Sequence, residues 1–366
     1  MASLEIMNLR SAQARQRGFS LIEIMVGVVI GMIAMLVIYQ VFAAAEGIKR
    51  NTTSAGDAQQ NGLLASFMLG VELSNASNGV AMSWKKLGSC PFTASAATTL
   101  RPIPILITDG GGPTLPDQFV VNYSVSNVAI APVPFKAASG SNADYVVHAP
   151  IGFKPGDLVV AISGGSPGAG TCAVSSVTAV SSPPTSGAPE PDAIGQNGQV
   201  TISHTNAPFA FSDDSFLLNM GPATNAQRVR YSVNTGTLYS TSLWDANGAP
   251  RDPLLPNPIA SNIVNMKLLY GIDNNGDGTL DTWVPATGAW SAASVLAADT
   301  TTLRKIKAVR LGIIVRGEQW DRDAPDVTAH FFDDAIPFSQ TFVASGGNYR
   351  YRWYETIIPL RNPVWN

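Results

Sequence analysis

Cysteine and histidine are scarce in this chain of 366 residues, with two of the first and three of the second. That leaves little material for a zinc cluster or for a nucleophile with its base. Charge is scarce as well: Asp, Glu, Lys and Arg make up 13% of the residues, against about 25% in an ordinary soluble domain. Basic residues are not in excess, since 23 Lys and Arg face 26 Asp and Glu for a formal net charge of −3. A basic nucleic-acid binder is therefore excluded as the default reading. There is no P-loop, no dinucleotide fingerprint, no internal repeat and no long run of one charge. What is present is apolar: 45% of the residues, enough to bury a large core and to exclude wholesale disorder. With 33 Gly and 25 Pro, both turn formers stand somewhat above average use. Ser, Thr, Asn and backbone must wet the surface, which points to a loop-rich, β-rich body outside the cytosol, and the length suits one or two domains.

The apolar content is concentrated at one end. Residues 1–18 are polar and carry Arg10, Arg15 and Arg17 against a single acid, Glu5. Residues 19–45 follow as one apolar run, in which Ile24 to Ile38 contains no polar side chain. As a helix this run measures about 40 Å, sufficient to cross a ~30 Å hydrocarbon layer with tilt. Arginines before the span and none within it predict a cytoplasmic N-terminus, with everything after residue 45 across the membrane. A secretory signal peptide with Ala43-x-Ala45 as its cleavage site, or a plain single-span anchor, would fit the hydropathy. Neither accounts for Glu23, a carboxylate set early in the span. Such a group costs a few kcal/mol in hydrocarbon and by default marks function with a partner.

The segment Arg17-Gly18-Phe19-Ser20-Leu21-Ile22-Glu23 resembles the cleavage motif of type IV prepilins and pseudopilins. The resemblance implies cutting after Gly18 by a prepilin peptidase and methylation of the new amine on Phe19. The apolar helix then stays on the mature protein. Glu23 would neutralise the N-terminal ammonium, in its own chain or in a neighbouring subunit, as an assembly salt bridge in a low-dielectric filament core. Gly27 and Gly31 form a GxxxG in the span, read as ordinary glycine use in a membrane helix. The helix is expected to continue over residues 46–79, with Leu63, Leu64, Phe67, Leu69 and Val71 as its apolar face and Asn78-Gly79 as its stop.

Beyond residue 80 the pattern changes to short strands and turns. Strands are predicted at 119–125, 144–149, 157–163, 172–180, 199–203, 228–233, 263–272, 305–316 and 351–360. In 305–316, Val309, Leu311, Ile313 and Val315 alternate with Arg310, Gly312, Ile314 and Arg316, the pattern of a half-buried strand. Low-complexity loops fall at 93–99 and 181–191. The expected fold is α+β: a long N-terminal membrane-spanning helix packed on a mainly antiparallel, pilin-like body over 80–366. Phe153 with Gly156-Asp157-Leu158-Val159-Val160, the segment 308–316 and the terminal 356–362 are similar to the PilW family of minor pilins.

That resemblance implies a non-enzymatic filament subunit that helps to initiate pilus assembly. Its implied partners are major and minor pilins, the prepilin peptidase, an inner-membrane assembly platform and membrane lipid, with no nucleic acid by default. The implied location is the bacterial inner membrane, body in the periplasm, and then the pilus at the cell surface. A type II secretion pseudopilin shares every N-terminal feature, and a membrane-tethered adhesin or enzyme with an ordinary signal is a third reading.

One loop has the composition of a cation site. Asp273, Asn275, Asp277, Thr279 and Asp281 place oxygens at positions 1, 3, 5, 7 and 9, with Gly278 at the sharp turn. Such a set suits Ca²⁺ as a hard cation, although position 12 is Val284 where an EF-hand has Glu. An Asx-rich hairpin turn needs no metal and is the competing reading. Cys90 and Cys172 both fall in the exported body, where an oxidising compartment favours their disulfide over two free thiols. Gly164-x-Ser166-x-Gly168 imitates a hydrolase motif, but Pro167 has no N–H for an oxyanion hole, so it is read as a loop. His148, His204 and His330 stand apart from one another and from any ligand spacing. Asp321, Asp323, Asp326, Asp333 and Asp334 read as a solvated acidic loop. Tyr349 to Tyr354 reads as a strand with one aromatic face buried, rather than a single-strand nucleic-acid platform.

Overall fold

The computed structural model describes residues 18–80, 103, 105–126, 131–148, 152–164, 172–181, 200–205, 207–225, 228–246, 251–322, 324–334, 340–344 and 347–360. Residues 1–17, Cys90, residues 93–99, most of 181–191, residues 165–168, Asp323 and residues 361–362 lie outside them. The chain divides into two compact units, Met1–Thr53 and Ser54–Asn366.

Helix α1 runs Leu21–Ser74. No proline interrupts it; Leu, Met and Ala in its first part lose little on entering a helix, and the β-branched Ile and Val there cost only slightly more. In the first unit the residues from Gly18 to Glu46 are all exposed. From Ser54 onward the buried positions are Ser54, Ala58, Gly62, Ala65, Leu69 and Leu73, one stripe at three- and four-residue spacing. The expected apolar face is therefore corrected: only Leu69 belongs to the buried stripe, while Leu63, Leu64, Phe67 and Val71 are exposed. Small residues form the upper part of that stripe because another element approaches closely. A Cβ on Gly62 would stand 2.1 Å from Cε2 of Tyr354. The helix ends at Ser74, and residues 75–80 form turns with Ser77 and Gly79 at positive φ. Ser77 N–H donates to the Asn122 carbonyl at 2.7 Å.

Seventeen strands follow among the described residues. The first eight are β1 (Ile105–Thr108), β2 (Gln118–Asn122), β3 (Val133–Pro134), β4 (Tyr145–Val147), β5 (Asp157–Ile162), β6 (Cys172–Ser181), β7 (Val200–His204) and β8 (Phe216–Pro222). The next five are β9 (Arg228–Asn234), β10 (Thr237–Ser242), β11 (Pro256–Ser261), β12 (Ile263–Ile272) and β13 (Thr282–Pro285). After short helices α2 (Ala292–Ala297) and α3 (Thr300–Leu303) come β14 (Ile306–Arg316), β15 (Val327–Phe331), β16 (Gln340–Ala344) and β17 (Tyr351–Pro359). Each of the nine predicted segments contains a strand. The architecture is α+β, one long apolar helix and an antiparallel β-rich body in several sheets.

One sheet has the order β1-β2-β9-β10-β11 and another β13-β12-β14-β17. The β9–β10 hairpin turns on Thr235 and Gly236, both at positive φ, the geometry that a two-residue turn needs to match strand twist. The stripe of α1 shares one core with both sheets: Leu69 and Leu73 join Phe119, Tyr231, Met266, Tyr270, Leu311 and Ile358. β14 is buried over all but its second and last residues, so the half-buried expectation is corrected. Val309, Leu311, Ile313 and Val315 face the α1 core. Ile314 on the other face is covered by Ala329 and Phe331 of β15 and by Phe332 just after it.

Between β2 and β9 the chain makes an excursion into a six-stranded sheet of order β3-β8-β5-β6-β7-β4. Its two outer strands are linked through a bridge between Phe135 and Val147, with Lys136 N–H donating to the Val146 carbonyl at 2.8 Å. The strands thus ring a second core of Phe135, Tyr145, Val159, Phe211 and Leu217.

Candidate functional site

The predicted processing segment is laid out at the start of α1. Gly18, Phe19 and Ser20 precede the first helical turn. The Ser20 carbonyl accepts from Glu23 N–H at 3.0 Å and Ile24 N–H at 3.1 Å, closing that turn. Ser at the cap with Glu three residues on is a capping-box spacing, and an acid here suits the helix dipole. Phe19 and Glu23 are both exposed. α1 is long and apolar enough to cross a membrane, and none of its most apolar window is buried. The apolar face of Leu63, Phe67 and Val71 borders a shallow groove of about 630 Å³, closed on the other side by Thr356, Ile357, Ile358 and Pro359.

The Asp273–Asp281 loop joins β12 to β13, which register with Ile272 opposite Thr282. Asp273 is buried, and its two carboxylate oxygens accept from Gly276 N–H at 2.6 Å and Gly278 N–H at 3.0 Å. Asn275 Oδ1 accepts from Asp277 N–H at 3.0 Å, Asp277 Oδ1 from Thr279 N–H at 2.7 Å, and Asp281 Oδ2 from Asn274 N–H at 2.6 Å. Hydrogen bonds from Thr279 and Asn275 hold the Asp277 carboxyl below its ordinary value. The side chains thus cap the loop's own backbone, and Gly276 and Gly278 take the positive φ that the turn requires. Among the described residues no group of three or more His, Cys, Asp or Glu is arranged to hold a metal ion.

The remaining sequence candidates are dispersed. Cys172 is buried at the start of β6 and is not a free thiol; Cys90 lies outside the described residues. The ring of His204 stacks on Tyr145 at 3.8 Å, and His330 Nδ1 lies 3.3 Å from Thr341 Oγ1. The acidic segment splits between separate partners: Asp321 pairs with Arg350 at 2.8 Å, and Asp334 pairs with Arg310. Arg310 also holds Glu355, whose other oxygen accepts from Phe332 N–H at 3.1 Å. That pairing pulls the Asp334 carboxyl below its ordinary value.

One constellation escaped the sequence reading. Lys267 Nζ lies 2.6 Å from Asp117 Oδ1 and 3.8 Å from Asp109 Oδ1. Lys267 and Asp117 are 1% and 2% exposed. Asp117 Oδ1 also accepts from Gly110 N–H and Oδ2 from Leu268 N–H, each at 2.9 Å. Burial pushes the Asp117 carboxyl up, against the opposing pull of Lys267. The available signal was Lys267 itself, the single charge within the mostly apolar IVNMKLLYGI strand.

An exposed apolar helix opening on a Gly-Phe-x-x-x-Glu segment, whose later turns from Ser54 onward share a core with an antiparallel body, is the arrangement expected of a pilin-class protein. Residues 13–39 match the prokaryotic N-terminal methylation motif, and residues 230–362 match the type IV pilus-assembly protein W family. Together the two matches support a PilW-like type IV pilin, and the N-terminal helix suits membrane anchoring by its length and apolar composition. No curated protein and no solved structure matches the chain. The second match begins within β9 and runs past β17; it takes in Lys267, the Asp273–Asp281 loop and Arg310, while the six-stranded excursion precedes it.

Proposed function

We propose that this chain is a minor pilin that helps to initiate type IV pilus assembly. A prepilin peptidase cuts it after Gly18 and methylates Phe19. The observation that carries the reading is the Gly18-Phe19…Glu23 segment placed at the mouth of an exposed apolar helix, on a chain whose body matches a pilus-assembly family. Glu23 pairs with the Phe19 ammonium of a neighbouring subunit, since an uncompensated charge of either sign is costly in hydrocarbon. Other pilins cover the exposed side of α1, including Leu63, Leu64, Phe67 and Val71. The assembly platform and membrane lipid receive the segment before residue 46, with the body first in the periplasm and then at the cell surface. Cys90 and Cys172 form a disulfide. The Asp273–Asp281 loop takes up Ca²⁺ through carboxylate lone pairs not used by its backbone; calorimetry with CaCl₂ on the native chain and on Asp277→Ala tests that, and equal heats in the two would refute it.

Mass spectrometry of the mature N-terminus should find methyl-Phe19. An N-terminus at Glu46 would instead mark secretory cleavage. Glu23→Ala should leave processing intact and sharply reduce entry into filaments; undiminished entry would overturn the pairing. Deleting the chain should lower the number of surface pili, whereas lost enzyme export with normal pili would assign it to a type II secretion system.

A further inference from the structure

From the Lys267–Asp117–Asp109 cluster we infer that this body closes an internal isopeptide bond, an amide between Lys267 Nζ and Asp117 Cγ. The amine and the carboxyl are both out of water and within 2.6 Å of one another. In that state two opposite charges each carry a desolvation penalty, whereas an amide is neutral and keeps a carbonyl oxygen for hydrogen bonding. The acceptor carboxyl is held from two sides by Gly110 and Leu268 N–H groups. It is fixed from a third by its own backbone N–H, which donates to the Met266 carbonyl at 2.8 Å. Asn265 Nδ2 donates to the Pro113 carbonyl at 2.8 Å, so the whole loop between β1 and β2 is clamped to β12. Such fixed positioning replaces the entropy cost of bringing an amine to a carboxyl.

Asp109 supplies the proton traffic. It stands 3.8 Å from Nζ and is 25% exposed, so it touches both the amine and solvent. Its other oxygen accepts from Gly111 N–H at 2.9 Å, which keeps the side chain in place. Asp109 takes a proton from the Lys267 ammonium, and the free amine attacks Cγ of Asp117. The N–C bond forms while Leu268 N–H stabilises the oxygen that stays, Oδ2. The Cγ–Oδ1 bond then breaks, and Oδ1 leaves as water with the proton returned by Asp109 and the second proton shed by the nitrogen. One ammonium and one carboxylate thus become one amide and one water, with no oxidant, cofactor or second protein. Asp109 is a catalytic residue in this step, and Gly110 and Leu268 position the carboxyl.

The test is the mass of the full-length chain purified in detergent, followed by peptide mapping. The native protein should be one water lighter than its processed sequence, and one branched peptide should join the segments around residues 117 and 267. Lys267→Arg, which keeps the charge but cannot form the amide in this geometry, should regain the water. Asp109→Asn, isosteric at a partly exposed position, should fold and remain largely unlinked, with its thermal midpoint checking that the fold is kept. A native chain of full mass overturns the inference. So does a water loss that maps to a single linear peptide, or one that persists in Lys267→Arg, since Asp-Gly sequences can lose water by cyclising on themselves.

Discussion

Gly62 shows how one residue sets where two elements can meet. The Tyr354 ring occupies the space that any Cβ would take, and the Tyr354 hydroxyl donates to the Gln59 carbonyl at 3.4 Å. Gly62→Leu should therefore push the ring off the helix and destabilise the body by about 1–3 kcal/mol, the usual cost of overpacking; urea unfolding of the purified chain measures it. Asp334 makes a residue-scale prediction for pH. Its carboxyl is held below the ordinary value by Arg310, so the unfolded chain binds its proton first as the medium is acidified. The contribution of Asp334 is complete above the unfolded value of about 3.9 and is lost as pH falls through the lower folded value. Thermal midpoints should therefore drop on acidification below pH ~4, and Asp334→Asn should flatten that part of the profile.

At the scale of elements, the loop between β12 and β13 depends on Asp273. Asp273→Ala would strip two buried-side acceptors from Gly276 and Gly278 N–H and should cost about 1–3 kcal/mol, read as a lower urea midpoint with the fold otherwise kept. The nine strands anticipated from period-two patterning and turn residues all contain real strands, because β-branched residues between Gly, Pro and Asn signal locally. β1, β8 and β10 were not legible, although Ile105, Leu217 and Leu238 are fully buried; β1 is only four residues long, and β8 and β10 lack a clear period-two alternation. The buried stripe of α1 was misjudged for a physical reason. Hydrophobicity points to Leu63, Phe67 and Val71, yet close packing of Tyr354 selects Ala58, Gly62 and Ala65. Lys267 was overlooked because its partners sit 150 positions away in sequence, a distance no local pattern spans. The N-terminal methylation motif, in contrast, was readable because its residues are consecutive.

For the molecule as a whole, the six-stranded excursion between β2 and β9 brings its own core and carries Cys172 at the head of β6. A bond from there to Cys90 would close a loop of about 80 residues, contributing on the order of 4–5 kcal/mol in the chain-entropy account. Cys172→Ser should accordingly lower the thermal midpoint by several degrees and abolish the mobility difference between reduced and unreduced gels. The pairing of β14 with β17 has a consequence for biogenesis. β14 has β12 on one side and β17 on the other, and Leu360 N–H reaches the Lys307 carbonyl at 2.8 Å. A nascent polypeptide threading outward helix first would expose the flank of β14 until residues 351–360 emerge, so maturation waits on translation of that closing strand. Chains stalled upstream of it would display an open sheet margin to chaperones and proteases, a quality check built into the order of synthesis.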